Sequence, residues 1–319
     1  MIGVVGFRQM TDEALLEQSI ARLRTSGAIE YTGEFGAEIT TFIPFAHWLK
    51  AEGLLEGRRV VTYKGMRPYY YFLDDAEYHE KPAARMWVPV GKRDWPTNST
   101  STATQQRWHL MPDYRAQYRD KGRTFARPVL FIQNKFAIEW KQGPYNFLPL
   151  NTLALLLEKA SGQFDIVYSR PRAFTRDVGF SHDDGAYCEY PDLAVVKRFS
   201  NVAILEELCD QTGAPYNQTK LEILAKSNFF VAVQGGGTHL LACFGNSLML
   251  LLHTRGDEYP HAYRSGAYKY LSNPPPVILL ADGYNKMAAG IDLLCSVQFE
   301  NGIGRLDANF RPTLEALTI

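Results

Sequence analysis

The sequence predicts an α/β protein of two domains, each built on a parallel sheet. Its 319 residues exceed the usual size of one compact core. Short apolar segments alternate with segments of helical periodicity, which is the order that builds doubly wound parallel sheets. A glycine-rich turn follows one of the buried strands, and ligands bind such sheets at that edge.

The first domain opens with a helix and then a βαβ unit. Residues 11–25 carry apolar positions at helical spacing. The unit that follows consists of a strand at 28–32, a helix at 39–51 and a strand at 58–64. A crossover of helical length normally joins parallel strands. The next region is less regular, with strands at 69–73 and 86–90, a polar run at 97–104 and a helix at 105–120.

Residues 121–127 are predicted to form a linker, which divides the chain into domains of residues 1–126 and 127–319. After the linker, the alternation of strands and helices resumes clearly and predicts a doubly wound sheet. Its strands are predicted at 128–133, 164–168, 193–196, 229–233, 248–252 and 277–280. Its helices are predicted at 147–161, 202–211, 219–227, from 238 and at 284–296.

Composition and charge exclude several classes of protein. Hydrophobic residues make up 46% of the chain and charged residues 21%, which rules out wholesale disorder. Because 34 Lys and Arg balance 34 Asp and Glu, we expect neither a nucleic-acid partner nor a polybasic membrane surface. No basic leader and no apolar run of about 20 residues is present. Four widely spaced cysteines without a CxxC pair fit a reducing setting, so we expect a cytoplasmic protein without a transmembrane segment.

The most informative motif is the glycine turn, which we define as residues 234–239. It follows a buried strand and opens a helix, where backbone N–H groups and the helix dipole suit a phosphate or diphosphate. The alternative is a tight turn that packs against a neighbouring element. No GxGxxG fingerprint or Walker loop is present. The residues of this turn that we predict to bind a ligand are Gln234, Gly235, Gly236, Gly237, Thr238 and His239.

The stretch FFVAVQGGGTHLLACFGNSLMLLL, residues 229–252, resembles the donor-binding part of GT-B-type glycosyltransferases. In those enzymes a glycine-rich turn and a helix start face the diphosphate of a nucleotide sugar. The resemblance covers mainly residues 127–296. It implies two Rossmann-like domains facing a cleft, with the acceptor on the side of the first domain and the nucleotide sugar bound by the second.

Further candidate donor ligands follow two other strands. Lys135 is expected to neutralise a diphosphate, and Asn134, with Trp140 and Asn146, to line a base or sugar. Arg170 is the second candidate phosphate ligand. Because the carboxyl ends of parallel strands share one edge, these residues and the glycine turn are expected to converge. The alternatives are an ordinary polar loop around Lys135 and an exposed loop arginine at position 170.

Acidic residues supply the candidate bases and one competing metal site. Glu34 or Glu38, in GEFGAE after the first strand, is a candidate general base for an acceptor hydroxyl. Glu38 is alternatively a first-turn residue that stabilises its helix. The run Ser181-His182-Asp183-Asp184 is a candidate metal site or else a solvated loop. We expect no metal.

The predicted function is transfer of a sugar from a nucleotide-activated donor to a hydroxyl of a glycan or lipid-linked saccharide. The donor is a co-substrate, and no other cofactor is expected. Two alternatives stay open: a nucleotide-sugar epimerase, and a non-catalytic protein that binds nucleotides or glycans. The sequence carries no GxSxG, HExxH or kinase signature, and it leaves the oligomeric state open.

Overall fold

The structure is a computed structural model, and it describes residues 11–82, 85, 88, 93, 95–96, 105–138, 143–171, 186–255, 267–296, 298–300 and 303–305. The helices are α1 (Asp12–Ser26), α2 (Phe35–Ala37), α3 (Ile43–Ala51), α4 (Tyr114–Tyr118), α5 (Leu150–Ala160), α6 (Asp192–Val196), α7 (Leu205–Thr212), α8 (Tyr216–Lys226), α9 (Gly236–Ala242) and α10 (Tyr284–Cys295). A π-helical turn spans Glu38–Phe42, and 3₁₀ turns span Arg67–Tyr70 and Ala267–Tyr270.

The strands fall into two main sheets and two short pairs. They are β1 (Ala28–Glu30), β2 (Arg59–Tyr63), β3 (Tyr78–Lys81), β4 (Val129–Gln133), β5 (Ala137–Ile138), β6 (Asp165–Ser169), β7 (Ala186–Tyr187), β8 (Val202–Ile204), β9 (Ser227–Val233), β10 (Leu248–His253), β11 (Val277–Asp282), β12 (Gln298–Glu300) and β13 (Ile303–Arg305). The short pairs, β5 with β7 and β12 with β13, are antiparallel.

The first sheet has the order β1-β2-β3, and all its neighbours are parallel. Local sequence explains how the chain enters it. The Thr11 hydroxyl accepts a hydrogen bond from the Ala14 N–H and caps α1, which ends at Gly27 in the left-handed conformation, as glycine favours. The π-helical turn and α3 then cross from β1 to β2. The predicted parallel βαβ unit is confirmed.

The second sheet is entirely parallel, with the order β8-β6-β4-β9-β10-β11. Numbered by their succession in the chain, these strands read 3-2-1-4-5-6, the order of a Rossmann-type sheet. The chain therefore reverses its direction of winding between β4 and β9. Such a switch point opens a crevice at the carboxyl ends of the two strands. The predicted mixed α/β class with parallel sheets is confirmed.

Two buried clusters lie on opposite faces of the second sheet. One is formed with α5 and α10. The other includes α8 and α9 and runs without a break into the residues around the first sheet. Helix α8 also connects the second sheet to the residues around the first sheet by a hydrogen bond, because Asn217 Nδ2 donates to the Gly65 carbonyl (2.8 Å). The sheets lie on either side of the predicted boundary after residue 126, but the division into two domains facing a cleft stays a prediction.

Some predicted elements were wrong. Residues 193–196 lie in α6, where buried Asp192 anchors the helix start through the Arg170 side chain. The sheet obtains its sixth strand from β8, whose residues were predicted to begin the helix at 202–211. The predicted strand at 69–73 begins as a 3₁₀ turn, because Pro68 fixes φ and Tyr69 and Tyr70 are both buried instead of alternating.

Other predictions in the irregular region have a mixed outcome. The predicted helix at 105–120 is confined to α4. The predicted strand at 86–90 falls outside the described residues except for Val88, and the polar run at 97–104 lies outside them. No helix in the described ranges is long and apolar enough to cross a membrane. All four cysteines are free thiols.

Candidate functional site

The switch point of the second sheet brings together two of the predicted ligand-binding segments. Strand β4 leads to Lys135 and the neighbouring β9 leads to Gly235. A Cβ atom placed on Gly235 would lie 3.2 Å from Lys135 Nζ, so the ammonium is next to the backbone of the turn. Gly235 has φ 148°, a conformation that other residues rarely adopt. Glycine at 235 therefore serves both the turn and the approach of Lys135.

The side chains of the glycine turn are held from within the protein. Buried Thr238 donates from Oγ1 to the Val233 carbonyl (2.8 Å), which fixes the start of α9. His239 Nδ1 pairs with the Tyr268 hydroxyl (2.5 Å). Gln234 Oε1 accepts a hydrogen bond from Asn146 Nδ2 (2.6 Å). These contacts fix the shape of the turn, and the predicted contacts of the three side chains with a donor stay predictions.

The loop after β1, residues 31–37, packs directly against the glycine turn. A Cβ atom on Gly36 would lie 2.7 Å from His239 Cδ2, and one on Gly236 would lie 3.4 Å from the Gly36 nitrogen. Glycine at 36 allows this close approach, whereas a Cβ on Gly236 would make only an ordinary contact. The half-buried Glu34 belongs to this loop. The structure thus brings the loop that carries Glu34 against the glycine turn, and the role of Glu34 as a base stays a prediction.

Glu38 lies in a different environment, because it is fully buried inside the first half of the chain. Its Oε2 forms an ion pair with Arg85 Nη2 (2.6 Å). Oε1 accepts from the Tyr70 hydroxyl (2.7 Å) and from Thr62. Burial and the Glu38 carboxylate raise the pKa of Tyr70 well above its ordinary value, so that hydroxyl stays a donor. The geometry gives Glu38 a structural role, and its role as a base stays a prediction.

Asn134 and Arg170 are also occupied by protein groups. Fully buried Asn134 accepts at Oδ1 from the backbone N–H groups of Lys135 and Leu148, both at 2.9 Å, and donates to the Tyr168 hydroxyl. Buried Arg170 forms a two-pronged ion pair with Asp192, at 2.5 and 2.9 Å. Bidentate pairs of this kind are strong and directional. Both residues shape loops at the sheet edge, and their contact with a donor stays a prediction.

A network around Asn146 ties three loops of the same edge together. Asn146 is fully buried, with φ 52°. Besides its bond to Gln234, its Oδ1 accepts from Thr254 Oγ1 (2.9 Å) and the Arg255 N–H (3.2 Å). The loops after β5, β9 and β10 therefore share one side chain. The structure gives the Asn146 amide a connecting role, and its predicted contact with a base or sugar stays a prediction. Trp140 lies outside the described residues.

Sequence reasoning missed two residues beside the turn, Tyr145 and Arg255. Lys135 Nζ and the guanidinium carbon of Arg255 each lie 5.7 Å from the centroid of the Tyr145 ring. The ring is half-buried and Arg255 is exposed. Two cations therefore flank one aromatic ring next to Gly235. Arg255 could have been recognised from its place in the sequence, because it comes two residues after a strongly apolar strand, at the edge where ligands bind.

The described residues provide no cluster of three or more His, Cys, Asp or Glu that could hold a metal ion. The competing candidate, Ser181 to Asp184, lies outside them. A surface hollow of about 310 Å³ is lined in part by Arg127, Val129 and Asn228. It lies at the amino ends of β4 and β9, opposite the edge where a parallel sheet binds ligands, so we do not assign the site to it.

No protein-family model matches the sequence, and no curated protein matches it either. Among solved structures, the chain is similar to the dodecameric iron-containing heptosyltransferase TibC, determined in complex with ADP-D-β-D-heptose. The sequence identity is 14% and the TM-score is 0.41. The match covers 74% of this chain and 59% of that one, so the chain spans less than two thirds of the protein it resembles.

Proposed function

We propose that this protein transfers a sugar from a nucleotide-activated donor to a hydroxyl of a glycan or lipid-linked saccharide. The observation that supports this most is the meeting of Lys135 and Gly235 at the switch point of a Rossmann-type sheet, where nucleotides bind. Arg255 and the Tyr145 ring stand beside them. Two cations, backbone N–H groups and an aromatic face together suit a diphosphate attached to a flat base or a sugar ring.

The proposed chemistry follows from where charge develops. As the bond between the anomeric carbon and the diphosphate oxygen breaks, negative charge builds up on the departing diphosphate. Lys135, Arg255 and the N–H groups of the glycine turn would stabilise that charge, which is the type of contribution that accelerates such a step most. This set would make a metal ion unnecessary. Resistance of the activity to EDTA checks that part of the proposal.

Glu34 is the proposed general base of an inverting reaction. Its carboxylate would take the proton of the acceptor hydroxyl while that oxygen forms the new bond to the anomeric carbon. The nucleoside diphosphate then leaves with the electron pair of the broken bond. In this scheme residues 1–126 bind the acceptor and residues 127–319 bind the nucleotide sugar across a cleft. We also propose that the protein acts in the cytoplasm.

The test is a panel of nucleoside diphosphates and nucleotide sugars, each added to the wild-type protein with and without EDTA. A ligand that binds the native state raises the unfolding temperature. The expected result is stabilisation by one nucleotide family, followed by release of its diphosphate that depends on an added saccharide acceptor. Rearrangement of the sugar without an acceptor would identify an epimerase. Stabilisation without turnover would identify a binding protein.

A matched pair of variants places the ligand. Lys135→Ala should remove the stabilisation, because it deletes the cation beside Gly235. Lys226→Ala, at the carboxyl end of α8 and beside the opposite edge of the sheet, should retain it. Equal loss in both variants, or in neither, would reject the switch point as the donor site.

A further inference from the structure

Lys220 is a buried lysine that none of the steps above uses. It lies on α8, on the face of the second sheet that meets the first half of the chain, and only 4% of it is exposed. Its Nζ donates to Gln133 Oε1 (2.7 Å). Within the described part of the chain, this neutral amide oxygen is its sole hydrogen-bond acceptor. The rings of Phe131 and Tyr216 lie 5.9 Å away.

The surroundings of Lys220 disfavour its charge. Burial lowers the pKa of Lys220 to about 8, and the Glu206 carboxylate on α7 opposes that shift. The elements packed against α8 carry further titratable groups, among them Tyr69 on the 3₁₀ turn, Arg115 on α4 and Cys209 on α7. Of the described groups, Glu206 is the one whose charge acts on the pKa of Lys220. A buried ammonium with a neutral acceptor destabilises the fold, so the position is not explained by stability.

Gln133, the acceptor of Lys220, connects the two segments of the candidate donor site. Its Nε2 donates to the Asn134 carbonyl (3.2 Å), just before Lys135. On its other side it supports the glycine turn, because a Cβ atom on Gly237 would lie 3.2 Å from both Cγ and Cδ of Gln133. One amide therefore sets the spacing between the Lys135 loop and the glycine turn.

We propose that Lys220 is a positioning residue for the donor site, acting through the side chain of Gln133. The ammonium has only donors, so it fixes Oε1 of Gln133 toward itself and leaves Nε2 for the Asn134 carbonyl. A neutral amine accepts as well as donates, so the amide is then no longer held in one orientation. This inference rests on the proposed function for its ligand, but its structural part is testable without one.

The first experiment measures amide hydrogen exchange of the ligand-free protein at pH 7, in peptides covering residues 133–138 and 229–241. Lys220→Met should exchange faster than wild type in both peptides by about tenfold, the change that corresponds to one charge-assisted hydrogen bond. Lys226→Met, the same change on the same helix, should leave both peptides unchanged. Wild-type exchange in a folded Lys220→Met protein would overturn the proposal.

Gln133→Met supplies a second route to the same conclusion if Lys220→Met folds poorly. It should accelerate exchange in the same two peptides. The double variant should show no more acceleration than Gln133→Met alone, because that variant already lacks the amide through which Lys220 acts. Additive effects would show that Lys220 does not act through Gln133, and would overturn the proposal.

The second experiment follows donor binding against pH. In wild type, KM for the donor should rise above pH 8 with little change in kcat. In Lys220→Met, KM should already be raised about tenfold at pH 7, without the step near pH 8. A Lys220→Met protein with the wild-type KM and the wild-type step would overturn the inference. If wild type binds no nucleotide sugar, the proposed function fails, while the exchange experiment still decides the role of Lys220.

Discussion

Lys135 and Arg255, the two cations that flank the Tyr145 ring, are the residues on which donor binding depends most directly in this account. Neither position is explained by a core packing role, since Arg255 is exposed and Lys135 is half-buried. Both cations lie near the same ring, and two positive charges in one place suit the negative charge of a diphosphate. Each contact with a phosphate would be charge-assisted and therefore stronger than a neutral hydrogen bond.

We expect Lys135→Ala and Arg255→Ala each to weaken binding of a nucleoside diphosphate by about tenfold or more, since a charge-assisted hydrogen bond contributes about 1.5–3 kcal/mol. Titration calorimetry at constant ionic strength measures the change. Lys269→Ala, which removes an exposed lysine from the second 3₁₀ turn, serves as the control for lost charge. Equal weakening in that control would show a non-specific charge effect.

The Glu38–Arg85 pair is expected to matter for stability. Arg85→Met should lower the free energy of unfolding by about 3–5 kcal/mol, because it leaves the Glu38 carboxylate buried without its cation. Lys197→Met, which breaks the exposed pair with Glu207, should cost less than about 1 kcal/mol. Denaturant unfolding followed by circular dichroism measures both. Similar small losses in the two variants would contradict the structural role given to Glu38.

The lowered pKa of Lys220 should make the free energy of unfolding rise with pH. Its pKa is about 8 in the folded chain and about 10.4 when unfolded. Between these values the unfolded chain binds more protons, so the free energy of unfolding rises with pH by up to about 1.4 kcal/mol per pH unit. We expect wild type to gain stability relative to Lys220→Met from pH 8 to about 10.4. Parallel stability curves would show that Lys220 titrates normally.

Sequence reasoning at the residue scale identified Lys135, Glu34 and the glycines that the structure brings together. These residues were recognisable because each follows the end of a strand. It did not anticipate that Asn134 is hydrogen-bonded to Tyr168 and that Arg170 forms an ion pair with Asp192. Such pairing depends on which strands become neighbours, which no local pattern in the sequence specifies.

At the scale of elements, the contact between the loop after β1 and the start of α9 is the feature that links the proposed base to the donor turn. Gly36 and Gly236 face each other there. Because Gly36 lacks a side chain, the loop packs directly against the His239 ring and the backbone at the start of α9. We call this contact between residues 31–37 and the start of α9 the seam. The relative placement of Glu34 and Lys135 depends on it.

Gly36→Ala should disturb that seam, since its Cβ would lie 2.7 Å from His239 Cδ2. We expect a loss of about 1–3 kcal/mol in stability, the usual cost of an overpacked contact, together with reduced transfer activity. Gly162→Ala is the control, because no described atom lies within 4 Å of its added Cβ. Thermal unfolding and initial rates check both variants. Unchanged stability and unchanged transfer rate in Gly36→Ala would show that the seam accommodates the added methyl group at no cost.

The element predictions succeeded where an apolar run was long and failed where tertiary contacts overrode the local pattern. Strands β4, β9, β10 and β11 are buried on both faces and were therefore recognisable as continuous apolar runs. Helix α6 was mistaken for a strand, because residues 193–196 form a short apolar run of strand length and its helical start is fixed by the Asp192 ion pair. Strand β8 is a short edge strand with two half-buried residues, too weak a pattern to distinguish from a helix start.

At the scale of the whole molecule, the strand order 3-2-1-4-5-6 of the second sheet is the property that locates the site. Alternation of strands and helices predicted a parallel doubly wound sheet, but alternation is the same for many strand orders. The order follows from which faces pack against α5, α10 and the first half of the chain. It places Lys135 and Gly235 just beyond the carboxyl ends of adjacent strands, at the point of the sheet where winding reverses.

The most direct test of a donor site at the switch point is the dissociation constant of the nucleoside diphosphate for wild type and for Gly235→Ala, measured by calorimetry. Gly235 has φ 148°, and its added Cβ would crowd Lys135 Nζ at 3.2 Å. We expect binding to wild type and at least about tenfold weaker binding to a folded Gly235→Ala protein. Equal affinity in the two proteins would contradict a donor site at the switch point.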